Sequence, residues 1–214
     1  VLEQAATTIG AVTGVQGISW VEYSLSGTSN HAGTTPMSLR HDAGFVAAAI
    51  AARARSLALE MGGDQVATVG VTELHPNLVN VIANKARLTL DLRNTSEKAL
   101  QRAESVMTEF VNATASNEGV SVSSRSLARF SPVAFDNEII DLVEKTAVER
   151  GYSCQRLPSG AGHDAQMFAP NCPSGMIFVP SEGGISHNVN EFTAAEEIDA
   201  GLDVLVQIVL KLTD

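Results

Sequence analysis

The stretch Ala86-Arg87-Leu88-Thr89-Leu90-Asp91-Leu92-Arg93 alternates without a break. Leu88, Leu90 and Leu92 fall on one side and Thr89, Asp91 and Arg93 on the other, which is the period of two of a strand with one buried face. Upstream, residues 65–74 set Val66, Thr68 and Thr72 against Ala67, Val69 and Val71 and predict a second strand. Before that, residues 38–61 carry Val46, Ile50, Leu57 and Met61 at helical spacing in an alanine-rich background, and Gly62-Gly63-Asp64 stops the helix. Residues 18–26 alternate again, with Val21, Tyr23 and Leu25 opposite Glu22, Ser24 and Ser26. Downstream, Ser96 is placed to cap a helix whose stripe is Leu100, Ala103, Met107, Phe110 and Thr114, and residues 120–127 read as a weaker strand. The order is β-α-β-β-α-β, the split βαβ or ferredoxin-like arrangement, with two helices on one sheet face and the other face open.

The pattern changes at Ser131-Pro132. Beyond it the periodicity predicts a helix over 137–150, a short strand over 153–157, a glycine-rich turn and a strand over 176–179. A last helix over 194–212 is expected to turn Ile198, Leu202, Leu205, Val209 and Leu212 inward. So few strands and helices leave apolar faces uncovered. This segment is therefore expected to belong to a larger α/β domain. The chain opens on Val1-Leu2-Glu3-Gln4 with no initiator Met, so the expectation is either a trimmed leader or a longer protein joined in mid-course.

Composition narrows the partners. The 214 residues are 44% hydrophobic and only 5% aromatic, enough for a sizeable core built from Ala, Val, Leu and Ile. A formal charge of -10 argues against nucleic acid and anionic membrane, both of which need a positive surface. The βαββαβ order also describes RNA-binding domains, but the 86–93 strand has no aromatic residue on which a base could stack. No membrane span or signal peptide is read, Cys154 and Cys172 lack metal-site spacing, and the cytoplasm is the default location.

Three loops concentrate polar residues. Gly27-Thr28-Ser29-Asn30-His31-Ala32-Gly33-Thr34-Thr35-Pro36-Met37 is either a long connector whose His31 or Thr34 satisfies a helix start, or a site. Ser159-Gly160-Ala161-Gly162-His163-Asp164-Ala165 is either a flexible turn capped by Asp164, or a place where backbone approaches a ligand beside a titratable pair. Pro180-Ser181-Glu182-Gly183-Gly184-Ile185-Ser186-His187-Asn188 follows a strand, and an imidazole there is either exposed or a metal ligand. Arg93 shares the polar face with Asp91, where it either pairs with that carboxylate or binds one from a ligand. Asn80 is a turn residue or a neighbour of that strand. His41 is expected to be exposed on the first helix and His75 to lie in a loop.

Taken together and in order, these segments resemble the N-carbamoyl-L-amino-acid hydrolases and allantoate amidohydrolases of the peptidase-M20-like group. The carrying residues are His31-Ala32-Gly33-Thr34-Thr35-Pro36-Met37 with Arg40-His41-Asp42-Ala43, then Asn80-Val81-Ile82, Asp91-Leu92-Arg93, the Ser159–Ala165 loop and Gly184-Ile185-Ser186-His187. The resemblance implies a ferredoxin-like lid and dimerisation domain over residues 17–130, inserted in an α/β metallohydrolase domain. Residues 1–16 would be the strand leading into the lid, and residues 131–214 the last part of the catalytic domain. It implies two divalent metals, zinc or else Mn, Co or Ni, with His187 the one ligand in this chain, and therefore a catalytically incomplete piece without tightly bound metal. His31, reaching across a homodimer, would stabilise the oxyanion, and His163 would contact the ureido group or assist proton transfer. Asn80 and Arg93 would hold the substrate carboxylate, with Gly184 and Ile185 also at the substrate. The rival from another class is a non-catalytic dimerisation or small-molecule-binding module.

Overall fold

The structure, a computed structural model, describes residues 1–213. In chain order its elements are β1 (Ile9–Val15), β2 (Gly17–Ser26), α1 (Ala43–Met61), β3 (Val66–His75), β4 (Lys85–Asn94), α2 (Glu97–Glu118), β5 (Ser121–Phe130), β6 (Val133–Ala134), α3 (Asn137–Glu149), β7 (Cys154–Ser159), α4 (Ala165–Phe168), β8 (Met176–Phe178) and α5 (Ala195–Thr213). They divide into two compact units. One runs from Gly17 to Pro132; the other joins Val1–Gln16 to the chain from Val133 onward.

The Gly17–Pro132 unit is a four-stranded antiparallel sheet in the order β3-β4-β2-β5, with α1 and α2 packed on it. Leu88, Leu90 and Leu92 are buried beneath the helices with Tyr23, Leu25, Val46, Ile50, Leu57, Leu100, Met107 and Val111. Each such leucine contributes roughly 1.5–3 kcal/mol by leaving water, so the alternation of β4 is what seats both helices. Three expectations are corrected here. Helix α1 starts at Ala43 rather than Ser38, because the Asp42 carboxylate accepts from the amides of Gly44 (2.8 Å) and Phe45 (3.1 Å); His41 therefore precedes the helix. Along α2 the inner stripe runs through Val111 and Ala115, not Phe110 and Thr114, since 3.6 residues per turn carries it one position on. A bulge between Val69 and Val71 moves Val71 to the open face beside Thr89.

In the other unit β1 is the hub. It pairs in parallel with β7 on one side, and antiparallel with β8 and β6 on the other. Ile9, Ala11, Val12 and Val15 form its core with Phe135, Ile140, Val143, Ala147, Ala200, Val204 and Ile208. The inward face of α5 is thus Ala200, Val204 and Ile208. The predicted face is turned out instead: Ile198, Leu202, Leu205, Val209 and Leu212 are about half exposed. Periodicity chose wrongly because α5 is apolar around most of its circumference, so two faces satisfied the same spacing.

Candidate functional site

His31 sits in the 27–42 loop, which is tied to the 77–84 segment at the end of the sheet where β2 and β3 finish and β4 begins. An isolated antiparallel bridge joins His31 to Val81, and the amides of Ala32 and Ile82 donate to the carbonyls of Asn80 and Asn30. The structure thus brings His31 and Asn80 together. The His31 ring is oriented by its own loop: Nδ1 accepts from the amides of Gly33 (3.0 Å) and Thr34 (3.2 Å). A backbone amide can only donate, so Nδ1 is the acceptor of the ring and Nε2–H its donor, on the side away from those amides. These bonds are the ones the connector reading describes, with His31 satisfying a turn, and they leave Nε2 outside them.

Arg93 lies elsewhere. Its register partners are Ile18 and Val66, at the end where β2 and β3 begin and β4 finishes. Eight residue steps along β4 separate it from Lys85, about 27 Å at strand rise. Asn80, on the far side of Lys85, is therefore not beside Arg93 within one chain, because β4 runs its full length between them. On the open face the Arg93 guanidinium meets the Asp91 carboxylate (Nη2 to Oδ2, 2.7 Å) and stands 5.7 Å from the centre of the Trp20 ring. Trp20 was not singled out from sequence; as the strand neighbour of Asp91, it could be found only once the register was known. The same face carries Glu22 and Glu73, both held below the ordinary carboxylate range chiefly by hydrogen bonds from Arg87.

In the β1 unit, the Ser159–Ala165 loop leaves the carboxyl end of β7. Ser159 is buried and its hydroxyl donates to the Ala161 carbonyl (2.8 Å). His163 Nδ1 accepts from the Ala165 amide (3.1 Å), so it is the imidazole that caps α4; Asp164 makes no side-chain cap bond. Its Nε2–H likewise points away from the cap. The His187 loop follows β8, where Gly183 and Gly184 take positive φ to turn the chain and Ile185 is partly exposed. His187 itself is left-handed at φ 56°, a conformation that costs a non-glycine residue about 1–3 kcal/mol. Glu191 holds it there, accepting from the His187 amide (2.9 Å) and the Ser186 hydroxyl (3.3 Å).

The two loops do not leave the sheet at one edge. Ser159 of β7 pairs with Val15, whereas Phe178 of β8 pairs with Gly10. Because β8 runs against β1 and β7, its carboxyl end lies at their amino end, and the rule that ligands gather beyond strand carboxyl ends does not unite His163 with His187. Among the described residues no three His, Cys, Asp or Glu side chains converge to hold a metal ion. The donor set of the described residues does not make a metal centre, which needs about three or four protein ligands. Among the described residues no helix is long and apolar enough to cross a membrane.

The family described as Peptidase family M20/M25/M40 matches residues 16–211. The chain is 36% identical to the N-carbamoyl-L-amino-acid amidohydrolase of Rhizobium meliloti, over 100% of its own length and 51% of that protein. It is 32% identical to the allantoate amidohydrolase of Bacillus subtilis, over 99% of this chain and 51% of the relative. Among solved structures it is similar to a hydantoinase/carbamoylase-family amidase from Burkholderia multivorans, with TM-score 0.95, 36% identity, and coverage of 99% of this chain and 51% of that one. The chain spans about half the length of the curated relatives it matches.

Proposed function

Because the chain belongs to Peptidase family M20/M25/M40, we propose that it is part of an amidohydrolase that cleaves the carbamoyl C–N bond of N-carbamoyl-L-amino acids or related ureido acids. What carries this reading is the 36% identity to a carbamoyl-amino-acid amidohydrolase along the entire chain. In it the Gly17–Pro132 unit is the ferredoxin-like lid and the β1 unit is the last part of the catalytic domain. The half-exposed apolar face of α5 is then covered by further polypeptide of the catalytic domain. Two divalent metals belong to the whole protein, to which this chain offers His187. The described residues do not by themselves assemble the site of those metals.

The remaining residues divide the substrate between them. The outward Nε2–H of His31 suits an oxyanion, which needs a donor already aimed when charge develops. The planar fork of Arg93 suits the substrate carboxylate, with Asp91 and Trp20 holding it flat. His163 presents an Nε2–H to the ureido group; Gly184 and Ile185, expected at the same substrate, follow β8 at the opposite end of the sheet and are given no part in holding it.

The separation of His31 and Asn80 from Arg93 then requires two chains. Strand β3 is an edge with exposed Val66, Val71 and Leu74, and a groove between it and α1 exposes Leu59. Unpaired edge groups beside apolar side chains favour strand addition. In a two-fold dimer with β3 against β3 of a second copy, strand directions reverse across the axis. The His31 and Asn80 end of one sheet then lies level with the Arg93 end of the other. One substrate is held by both.

The test uses whole-protein variants and ammonia release from an N-carbamoyl-L-amino acid. R93A should lose about 10- to 150-fold in kcat/KM, the equivalent of the roughly 1.5–3 kcal/mol of a charge-assisted pair. H31A should lose turnover as well. Randomly mixed H31A and R93A subunits should recover about a quarter of wild-type sites, because each mixed dimer has one site with both residues intact. Mixed dimers confirmed by mass and devoid of recovery would sink the two-chain site. A wild-type protein inert towards every ureido acid would sink the activity.

A further inference from the structure

The Arg40 side chain makes three hydrogen bonds, none to an acidic partner. Nη2 donates to the Ala32 carbonyl at 2.6 Å and to the Thr35 carbonyl at 3.1 Å, and Nε donates to the same Thr35 carbonyl at 3.2 Å. Those carbonyls bracket Gly33 and Thr34, whose amides are the two donors to His31 Nδ1. A guanidinium is suited to this, since its rigid fork can grip two oxygens at fixed separation and a point charge cannot. We propose that Arg40 is a positioning residue for His31: by clamping Ala32 and Thr35 it aims the Gly33 and Thr34 amides at Nδ1, and so fixes both the tautomer and the pose of the ring. The value of this for turnover rests on the function proposed above; the geometry does not.

Two neighbours make the clamp specific to the ring. Thr35 is buried, and its hydroxyl donates back to the His31 carbonyl at 2.7 Å, closing the loop on itself. A side chain at Gly33 would put its Cβ 3.3 Å from His31 Cε1, so the ring lies directly over a residue that has none. Without Arg40 the loop still has the Thr35 bond and the Ala32 and Ile82 backbone bonds that anchor it to the 77–84 segment. What goes is the restraint on peptides 32–35, the ones that choose which ring nitrogen is the acceptor. Residues four to eight positions apart with no shared periodicity gave no sequence signal for this; Arg40 was visible only as part of a motif.

The chain has five histidines, so the question can be put directly to the 214-residue protein by ring nitrogen NMR with labelled histidine, assigning His31 by loss of its signals in H31N. In the wild type, in alkaline buffer, Nδ1 should resonate as an unprotonated acceptor and Nε2 as a protonated nitrogen. In R40A the two signals should move towards each other as the tautomers mix, while those of His41, His75, His163 and His187 stay in place. R40K should lie between, holding one carbonyl but not both. If R40A is unfolded by circular dichroism, R40Q, which keeps one amide donor, is read the same way. A His31 ring that stays in the Nε2–H form in folded R40A or R40Q would overturn the proposal. The tautomer shift in this chain, together with a whole protein inert towards every ureido acid, would leave the clamp standing and refute only the function.

Discussion

The two units differ in where their apolar side chains go. In the Gly17–Pro132 unit the leucines of β4 and the stripes of α1 and α2 meet in one buried cluster, and the open face of the sheet is polar. In the β1 unit Ala200, Val204 and Ile208 are buried, but Leu202, at 55% exposure, and Leu205, at 49%, stand at the surface of the same helix. With Ile139, Met176 and Phe178 they line an apolar groove of about 580 Å³. The first unit leaves apolar side chains exposed in loops, on helix surfaces and along the β3 edge, among them Val66, Val71 and Leu74; the second exposes a continuous stripe of one helix. A sheet of short strands can bury one layer of helices, and α5 carries more apolar surface than that layer accepts.

The largest test of this contrast is a pair of truncations. The only tryptophan, Trp20, is in the Gly17–Pro132 unit, so its fluorescence follows the unfolding of that unit alone. Leu90 is 1% exposed; L90A should lower the urea stability read by Trp20 by about 2–5 kcal/mol. L202A should leave the Trp20 midpoint where it is. A matching loss from both would mean that the units unfold as one body and that the outer face of α5 is covered in solution.

A smaller effect compares like with like. Asp42 caps α1 by accepting from two amides, and Asp136 caps α3 in the same manner, at 2.9 Å and 3.1 Å. D42A should lower the Trp20 transition by about 1 kcal/mol. D136A should spare it and show in the remaining circular dichroism transition. Equal movement of both signals by either variant would erase the division into units.

The smallest effect is electrostatic. The folded-state pKa values of Glu22 and Glu73 lie below their ordinary value, so the stability they contribute is present above that value and drains away as pH falls through the folded pKa. The Trp20 melting temperature should therefore fall as pH is lowered past about 4.3, the ordinary glutamate value, and R87M should flatten that slope by removing the guanidinium both carboxylates share. A parallel slope in R87M would show that other carboxylates govern the acid limb.

How much of this was legible beforehand follows from the range of each interaction. Alternation in β4, the Ser96 cap and the glycine stop after Met61 act within a few residues, and the βαββαβ order could be read from them directly. The polar segments around His31, His163 and His187 were visible as departures from packing needs. The inward face of α5 was not, because two stripes of the helix met the same period and only the partner surface selects between them. Nor was the separation of Asn80 from Arg93 visible, although they are thirteen positions apart in sequence: a strand run between two residues extends them, and only the register with β2 and β3 tells which end each occupies. The sequence by itself determined most of the helices, strands and polar loops, because those choices are made by neighbours along the chain; its periodicity did not show β1, β6 or α4. Which loops share an end of a sheet, which nitrogen of His31 is the donor, and which face of α5 is buried were decided by tertiary structure, because each depends on a group brought in from elsewhere or on a turn whose shape another part of the chain holds.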